Sequence, residues 1–123
     1  MKVRSYKELD VWKKGVEIVD HVYDLTDKFP PEERYGLTSQ MRKSAISIPS
    51  NVAEGFSRGH TAEYKQFLYI SFGSCAELNT QSIIACRRKY ISEAEALELE
   101  NELEYESRML MNLIKSLKRN AKP

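Results

Sequence analysis

The chain has 123 residues, the length of one domain, and 41% of them are hydrophobic, enough to form a buried core. Its 5 Gly and 4 Pro exclude collagen-like and low-complexity proteins, and a net charge of +1 gives no overall attraction to nucleic acid or membranes. No signal-peptide pattern is visible, and no apolar run approaches the ~20 residues of a membrane span. We therefore expect one cytoplasmic domain, residues 1–123, without membrane association.

The first predicted helix covers residues 9–28. Apolar residues recur along it at steps of three and four, as in an amphipathic helix. This pattern comprises Leu9, Trp12, Val16, Val19 and Tyr23. A second apolar stripe on the same helix comprises Val11, Ile18, Val22 and Leu25, and we assign it to surplus apolar surface. Pro30 and Pro31 end the helix, because the residue before a proline is driven out of the helical region.

The second predicted helix covers residues 37–54. Its apolar positions step by three and four and comprise Leu37, Met41, Ala45, Ile48, Val52 and Phe56. Pro49 falls inside this pattern and removes one backbone donor, so we expect a kink or a short break there. Gly55 suits the left-handed residue that follows a helix, so we expect the helix to end at that glycine.

The third and fourth predicted helices cover residues 61–90 and 92–118. Ser92 and Glu95 form a capping box at the start of the fourth. Short connections between four helices predict an all-α, antiparallel up-down-up-down four-helix bundle. A single core cannot take in every apolar stripe, and on the third helix the surplus comprises Tyr69, Ile70, Ile83 and Ile84. We expect self-association to cover this surplus surface.

Charge is unevenly distributed along the chain. Between Arg34 and Tyr90 there are eight basic residues against three acidic ones, whereas residues 93–106 contain seven Glu and no basic residue. Basic side chains that share a face can contact phosphates. Our candidate nucleic-acid-binding residues are Arg42, Lys43, Arg58, Arg87, Arg88 and Lys89. The alternative is that these residues are solvated helix ends.

The sequence gives little support to an enzyme. Residues 55–59 match the G-x-S-x-G motif of α/β-hydrolases, but that motif requires a strand before the serine, and here a helix precedes it. Neither histidine forms the Glu-x-x-His pair of bundle metal sites, and no Cys-x-x-Cys occurs. We therefore expect no catalysis, metal or cofactor. A polar pocket around Glu54, Ser57 and His60 would revive the enzyme hypothesis.

The middle of the chain carries a family resemblance. Residues 40–55, with the run Ser-Ile-Pro-Ser-Asn-Val-Ala-Glu-Gly, resemble the small four-helix-bundle proteins encoded in intervening sequences of bacterial 23S ribosomal RNA genes. The segments Leu-Asp-Val-Trp at 9–12, Glu-Tyr-Lys-Gln-Phe-Leu at 63–68 and Gly-Ser-Cys-Ala-Glu-Leu at 73–78 extend the resemblance to about residues 6–118. The family signature is Ser47, Pro49, Asn51, Glu54 and Gly55, for which we expect a structural role.

The resemblance implies more about architecture than about chemistry. The family is similar in fold to the accessory variability protein of diversity-generating retroelements, a barrel of five four-helix bundles that binds nucleic acid and a reverse transcriptase. It therefore implies a homopentamer whose partners are structured RNA or a nucleic-acid-processing protein, and it implies no catalytic residue. Our leading hypothesis is a non-enzymatic, self-assembling RNA-binding module. The alternative is a protein–protein scaffold or adaptor that binds no nucleic acid.

Overall fold

The protein consists of helices and their connections. The computed structural model describes residues 2–120, with side-chain surroundings described for residues 2–117. The helices are α1 (Asp10–Thr26), α2 (Leu37–Arg58), α3 (Thr61–Arg87) and α4 (Glu93–Asn120). Short 3₁₀ turns at Tyr6–Glu8 and Pro31–Glu33 precede α1 and α2. No strand occurs within residues 2–120, so the predicted all-α class is confirmed.

The helices pack as a closed four-helix bundle. Each helix contacts the next one along the chain, and α1 also contacts α4. Apolar side chains from all four helices meet in one continuous core, which removes them from water and supplies most of the stability of the fold. The largest fully buried apolar residues are Ile18, Val22, Met41, Ile48, Val52, Leu68, Leu78, Leu99, Leu110 and Ile114.

The choice of inward face on α1 differs from our expectation. Val11, Ile18, Val22 and Leu25, which we had assigned to surplus surface, are buried and form the core stripe. The other stripe is only partly buried at Trp12 and Val19 and packs against the edge of the core. Both stripes have helical spacing, so the spacing alone does not decide which of them faces the core. The close packing of α1 against α2 decides the rotation of α1. At that contact, a Cβ built on Gly15 would lie 3.2 Å from Pro49 Cβ.

The end of α2 also differs from our expectation. The helix continues through Gly55 to Arg58, and Gly59 is the left-handed capping residue, with φ 78°. A Cβ built on Gly55 would lie 2.8 Å from Phe67 Cβ and 3.1 Å from the Tyr64 carbonyl oxygen. Gly55 therefore permits α2 and α3 to approach closely, rather than ending α2. The helix is also unbroken at Pro49, so the short break is wrong, and a bend there stays a prediction.

The end of α3 and the start of α4 are set by local hydrogen bonds. Lys89 adopts a left-handed conformation (φ 67°), and the Tyr90 and Lys89 amides donate to the Ala85 and Cys86 carbonyls. This Schellman-type arrangement ends α3 at Arg87, three residues before the predicted end. The predicted capping box of α4 is confirmed, because Ser92 and Glu95 exchange two hydrogen bonds at 2.9 and 3.0 Å.

Candidate nucleic-acid interface

The antiparallel packing of α2 and α3 decides which of the candidate basic residues lie together. Ser47 Oγ is 2.8 Å from Ser74 Oγ, and Ser71 donates to the Ile48 carbonyl at 2.8 Å. This register places the last turn of α3 beside the first turn of α2. Consistent with it, the Tyr90 hydroxyl donates to Glu33 Oε2 at 3.0 Å.

Five of the six candidates therefore lie towards one end of the bundle, and Arg58 does not. Sixteen residues of helix separate Arg42 from Arg58, which is about 24 Å along α2. Arg58 is also engaged in ion pairs with Glu54 at 3.0 Å and Glu63 at 3.8 Å, and its guanidinium lies over the Phe67 ring. The structure thus does not bring Arg58 together with the other five.

Arg42 is held in place by α1. Its Nε donates to Thr26 Oγ1 at 2.8 Å, a second nitrogen bonds Asp27 at 3.0 Å, and the guanidinium lies 4.3 Å from the centre of the Tyr23 ring. These contacts join the C-terminus of α1 to the first turns of α2. Arg42 therefore links α1 to α2, and its charge is partly compensated by Asp27.

The four remaining candidates, Lys43, Arg87, Arg88 and Lys89, have no ion-pair partner among the described residues. Arg34, just before α2, is also exposed and without an ion-pair partner among the described residues. From the sequence we included it only in the count of basic residues and not among the candidates. Its position next to the α2 N-terminus was the signal that could have identified it. We call this set the basic end: Arg34, Lys43, Arg87, Arg88 and Lys89, all of which are exposed.

Several acidic side chains near the basic end are committed to internal contacts. Both oxygens of Glu33 are used, one by the Leu37 amide and the other by the Tyr90 hydroxyl. The hydrogen bond from the Leu37 amide has the largest lowering effect on the pKa of Glu33, and the one from the Tyr90 hydroxyl comes next. The charge of Arg88 lowers this pKa further. Asp27 binds Arg42 and Glu95 binds Lys28. The positive charge of the basic end is therefore only partly neutralised by these neighbours.

Two shallow grooves lie on opposite sides of the exposed face of α2, and Lys43 borders both. The groove towards α1 has a volume of about 520 Å³ and includes Arg34, Tyr35 and Thr38 in its lining. The groove towards α3 has a volume of about 450 Å³ and is lined by Gln40, Lys43, Ser44, Ser47, Glu77 and Gln81. The first groove presents cations and tyrosine rings, whereas the second presents hydroxyl and amide groups together with the opposite charges of Lys43 and Glu77.

The family-signature residues make contacts between and within helices. Asn51 Nδ2 donates to the Ser47 carbonyl at 2.8 Å and to Ser47 Oγ at 2.9 Å, and Ser47 in turn contacts Ser74 on α3. Pro49 packs against Gly15 of α1. Glu54 pairs with Arg58 within α2, and Gly55 lies where α2 and α3 approach closely, so a structural role for the signature stays a prediction.

The structure gives no support to the alternative enzyme site. Ser57, in the last turn of α2, and His60, just before α3, are both exposed, and Glu54 is paired with Arg58. Within the described part of the chain, no group of three or more His, Cys, Asp or Glu could hold a metal ion. None of the described helices combines the length and apolar character needed to cross a bilayer.

Glu106 is a buried carboxyl group that our sequence reasoning missed. It is 0% exposed, and neither carboxylate oxygen has a hydrogen-bond partner among the residues that the structure describes. Burial raises the pKa of Glu106 to about 8, and the charge of Lys14 opposes the rise only in part. The spacing could have revealed it, because position 106 lies three residues after Leu103 and four before Leu110, both in the core.

Comparisons with known proteins point to one family. A model of the family described as "23S rRNA-intervening sequence protein" matches residues 7–112. Among solved structures, the chain is similar to a protein of unknown function from the S23 ribosomal protein family of Bacteroides thetaiotaomicron. The TM-score is 0.79 at 20% identity, over 85% of this chain and 98% of that one, which shows a shared fold. No curated protein matches the chain.

Proposed function

The chain belongs to the 23S rRNA-intervening sequence protein family, and from this premise we propose that it is a non-enzymatic, self-assembling helical bundle that binds RNA through its basic end. The observation that supports RNA binding most is a set of five exposed cations at adjoining ends of α2 and α3, which form no ion pair with any described residue. Unpaired Lys and Arg side chains can neutralise phosphates and release counterions, whereas cations in internal ion pairs have their charge already compensated.

The proposal predicts salt-sensitive binding that depends on the end of α3. For a labelled structured RNA, replacing Arg87, Arg88 and Lys89 by Ala should weaken affinity and flatten its salt dependence. Each phosphate contact contributes about 0.7 to 0.9 to the slope of log K against log salt, so the slope should fall by roughly 2 to 3. Fluorescence anisotropy between about 50 and 200 mM salt measures this change.

A matched control removes the same charge elsewhere. Lys13, Arg108 and Lys115 are exposed and lie on α1 and α4, away from the basic end. Replacing these three by Ala should leave the slope close to that of the original chain. Equal effects of the two triple replacements would contradict a localised interface, and absence of binding at 50 mM salt would contradict RNA binding altogether.

Self-assembly is supported by the outer face of α3. We call it the outer stripe: Tyr69, Ile70, Ile83 and Ile84, which are 45–48% exposed. Gly73 lies within the stripe with no atom within 4 Å of its Cβ position, so a second backbone could approach closely. Covering an apolar face of this kind is favourable, and a head-to-tail contact repeated from copy to copy forms a ring when its rotation closes. From the family resemblance we propose five copies.

Charge on the outer stripe should prevent assembly without unfolding the chain. Replacing Ile70 and Ile83 by Glu should convert a particle of five times the 14.3 kDa chain mass into a monomer. Both side chains are about half exposed, so the helical circular dichroism spectrum should be retained. Light scattering coupled to gel filtration measures the mass. Val3→Glu, at another exposed apolar position, is the control and should leave the mass unchanged.

The outer stripe also favours the second candidate function, a scaffold that recognises only proteins. That function predicts assembly or partner capture that depends on the outer stripe, with no dependence on the basic end. A chain that assembles but binds no RNA at low salt would therefore favour the scaffold.

A further inference from the structure

The groove between α1 and α2 contains a tyrosine whose exposure is not explained by packing. Tyr35 is 89% exposed and lies in the three-residue connection that leads into α2. The other exposed large apolar or aromatic residues are 38–57% exposed. The guanidinium of the neighbouring Arg34 lies 5.9 Å from the ring centre. Most of the Tyr35 ring therefore meets solvent.

The first turn of α2 has unused hydrogen-bond donors beside this ring. Glu33 occupies the Leu37 amide, but the amides of Thr38 and Ser39 have no acceptor among the described residues. Such amides at a helix N-terminus point outward and attract anions. Glu33 directs its other oxygen to Tyr90, away towards α3 and α4. The free amides are thus not already satisfied by that carboxylate.

Thr38 is an independent indication of a ligand. The residue is only 8% exposed, lines the groove, and its hydroxyl makes no hydrogen bond with any described residue. The hydroxyl oxygen keeps some solvent-accessible surface in a residue that lines the groove, so a ligand oxygen can reach it. A buried hydroxyl usually has a partner, and here an incoming oxygen could supply it. Arg34 and Lys43 border the same groove and would complement a negative charge.

We infer that this groove is a subsite for one nucleotide of an unpaired RNA segment, with its phosphate at the first turn of α2 and its base stacked on Tyr35. The inference rests on the proposed RNA binding and specifies which form of RNA is recognised. A base in a duplex is stacked between its neighbours, whereas an unpaired base can lie on an aromatic ring. The groove therefore selects single-stranded segments or loops over continuous duplex.

The test compares a labelled single-stranded 12-nucleotide RNA without self-complementarity with the duplex that it forms with its complement. The unaltered chain should bind the single strand more tightly at the same salt concentration. Stacking on one base accounts for about 5- to 150-fold in affinity, so Tyr35→Ala should weaken single-strand binding by a factor in that range. Tyr35→Phe keeps the ring and should keep the affinity. Duplex binding should be unchanged by either substitution.

Two further variants make the result specific. Tyr105→Ala removes a tyrosine of α4 that is 51% exposed and should leave single-strand affinity unchanged. Thr38→Val keeps the side-chain shape, removes the hydroxyl and should weaken single-strand binding about tenfold. Its unfolding midpoint, measured in parallel, should match that of the unaltered chain.

The outcomes separate this inference from the proposed function. Salt-sensitive RNA binding that is indifferent to Tyr35→Ala, or equal for the two RNAs, would overturn the subsite and leave RNA binding through the basic end in place. Absence of binding to either RNA at about 50 mM salt would overturn both.

Discussion

Replacing Glu106 by Leu is expected to stabilise the protein by about 2–4 kcal/mol at pH 8, one of the two largest effects predicted for single substitutions. The side chain is fully buried, and neither carboxylate oxygen has a hydrogen-bond partner within residues 2–117. Leu has a similar size and needs no hydrogen bond, so it removes the desolvation penalty without opening a cavity. Urea unfolding followed by circular dichroism measures the change in the free energy of unfolding.

The same carboxyl group predicts a pH dependence with a definite sign. The folded-state pKa is raised to about 8 from the ordinary value of 4.5, so between these pH values the folded chain holds a proton that the unfolded chain has released. The contribution of Glu106 to the free energy of unfolding should therefore be most favourable below about pH 4.5. It should fall by up to about 1.4 kcal/mol per pH unit as the pH approaches 8.

The groups that face Glu106 set the size of this effect. Lys14 on α1 stabilises the ionised carboxylate, and the Cys75 thiol on α3 stays neutral because burial raises its pKa to about 12. Glu106→Gln keeps a polar side chain but cannot ionise, so it should remove this part of the pH slope. Glu104→Gln, at the exposed neighbouring position on α4, should keep the slope. An unchanged slope in Glu106→Gln would show that other groups cause the pH dependence.

Replacing Gly55 by Ala is expected to lower the free energy of unfolding by about 1–3 kcal/mol, and replacing it by Val should lower it further. The added Cβ would lie 2.8 Å from Phe67 Cβ and 3.1 Å from the Tyr64 carbonyl oxygen, so α2 and α3 would have to separate. This cost exceeds the gain of up to about 1 kcal/mol that Ala normally brings over Gly in a helix.

Gly73 provides the matched control within α3. It is also helical, but a Cβ built there meets no atom within 4 Å. Gly73→Ala, measured in solution dilute enough to keep the chain monomeric, should therefore stabilise it by about 0.5–1 kcal/mol. The opposite signs of the two substitutions distinguish helix packing from helix propensity. Stabilisation by Gly55→Ala would mean that the α2–α3 contact is looser than described.

The secondary structure was predictable because its causes are local. Period and capping identified four helices, and the Ser92–Glu95 capping box forms as its spacing indicates. The errors arose where two local patterns competed. The two apolar stripes of α1 have the same spacing, and Gly55 is equally suited to end a helix or to permit a close approach. In both cases contacts with a second helix decided the outcome.

The candidate interface was predictable only as an excess of charge along the sequence. That excess could not separate Arg42, which Thr26, Asp27 and Tyr23 hold, from Lys43, which stays exposed and unpaired within residues 2–117. Ion pairing depends on which side chains face each other across helices, and this information is not contained in local spacing. Arg34 and Tyr35 gained importance for the same reason, since a groove between α1 and α2 lies beside them.

The sequence by itself determined that the chain forms four helices and that α3 has more apolar surface than one core can bury. It also determined that the chain belongs with the family that shares the Ser47–Gly55 signature. Only the tertiary structure decided which cations stay unpaired, which face of α1 turns inward and that Glu106 is sealed in the core. Helix formation follows from neighbours three and four positions apart. Burial and pairing follow from the rotation and register of whole helices, which the packing of all four sets together.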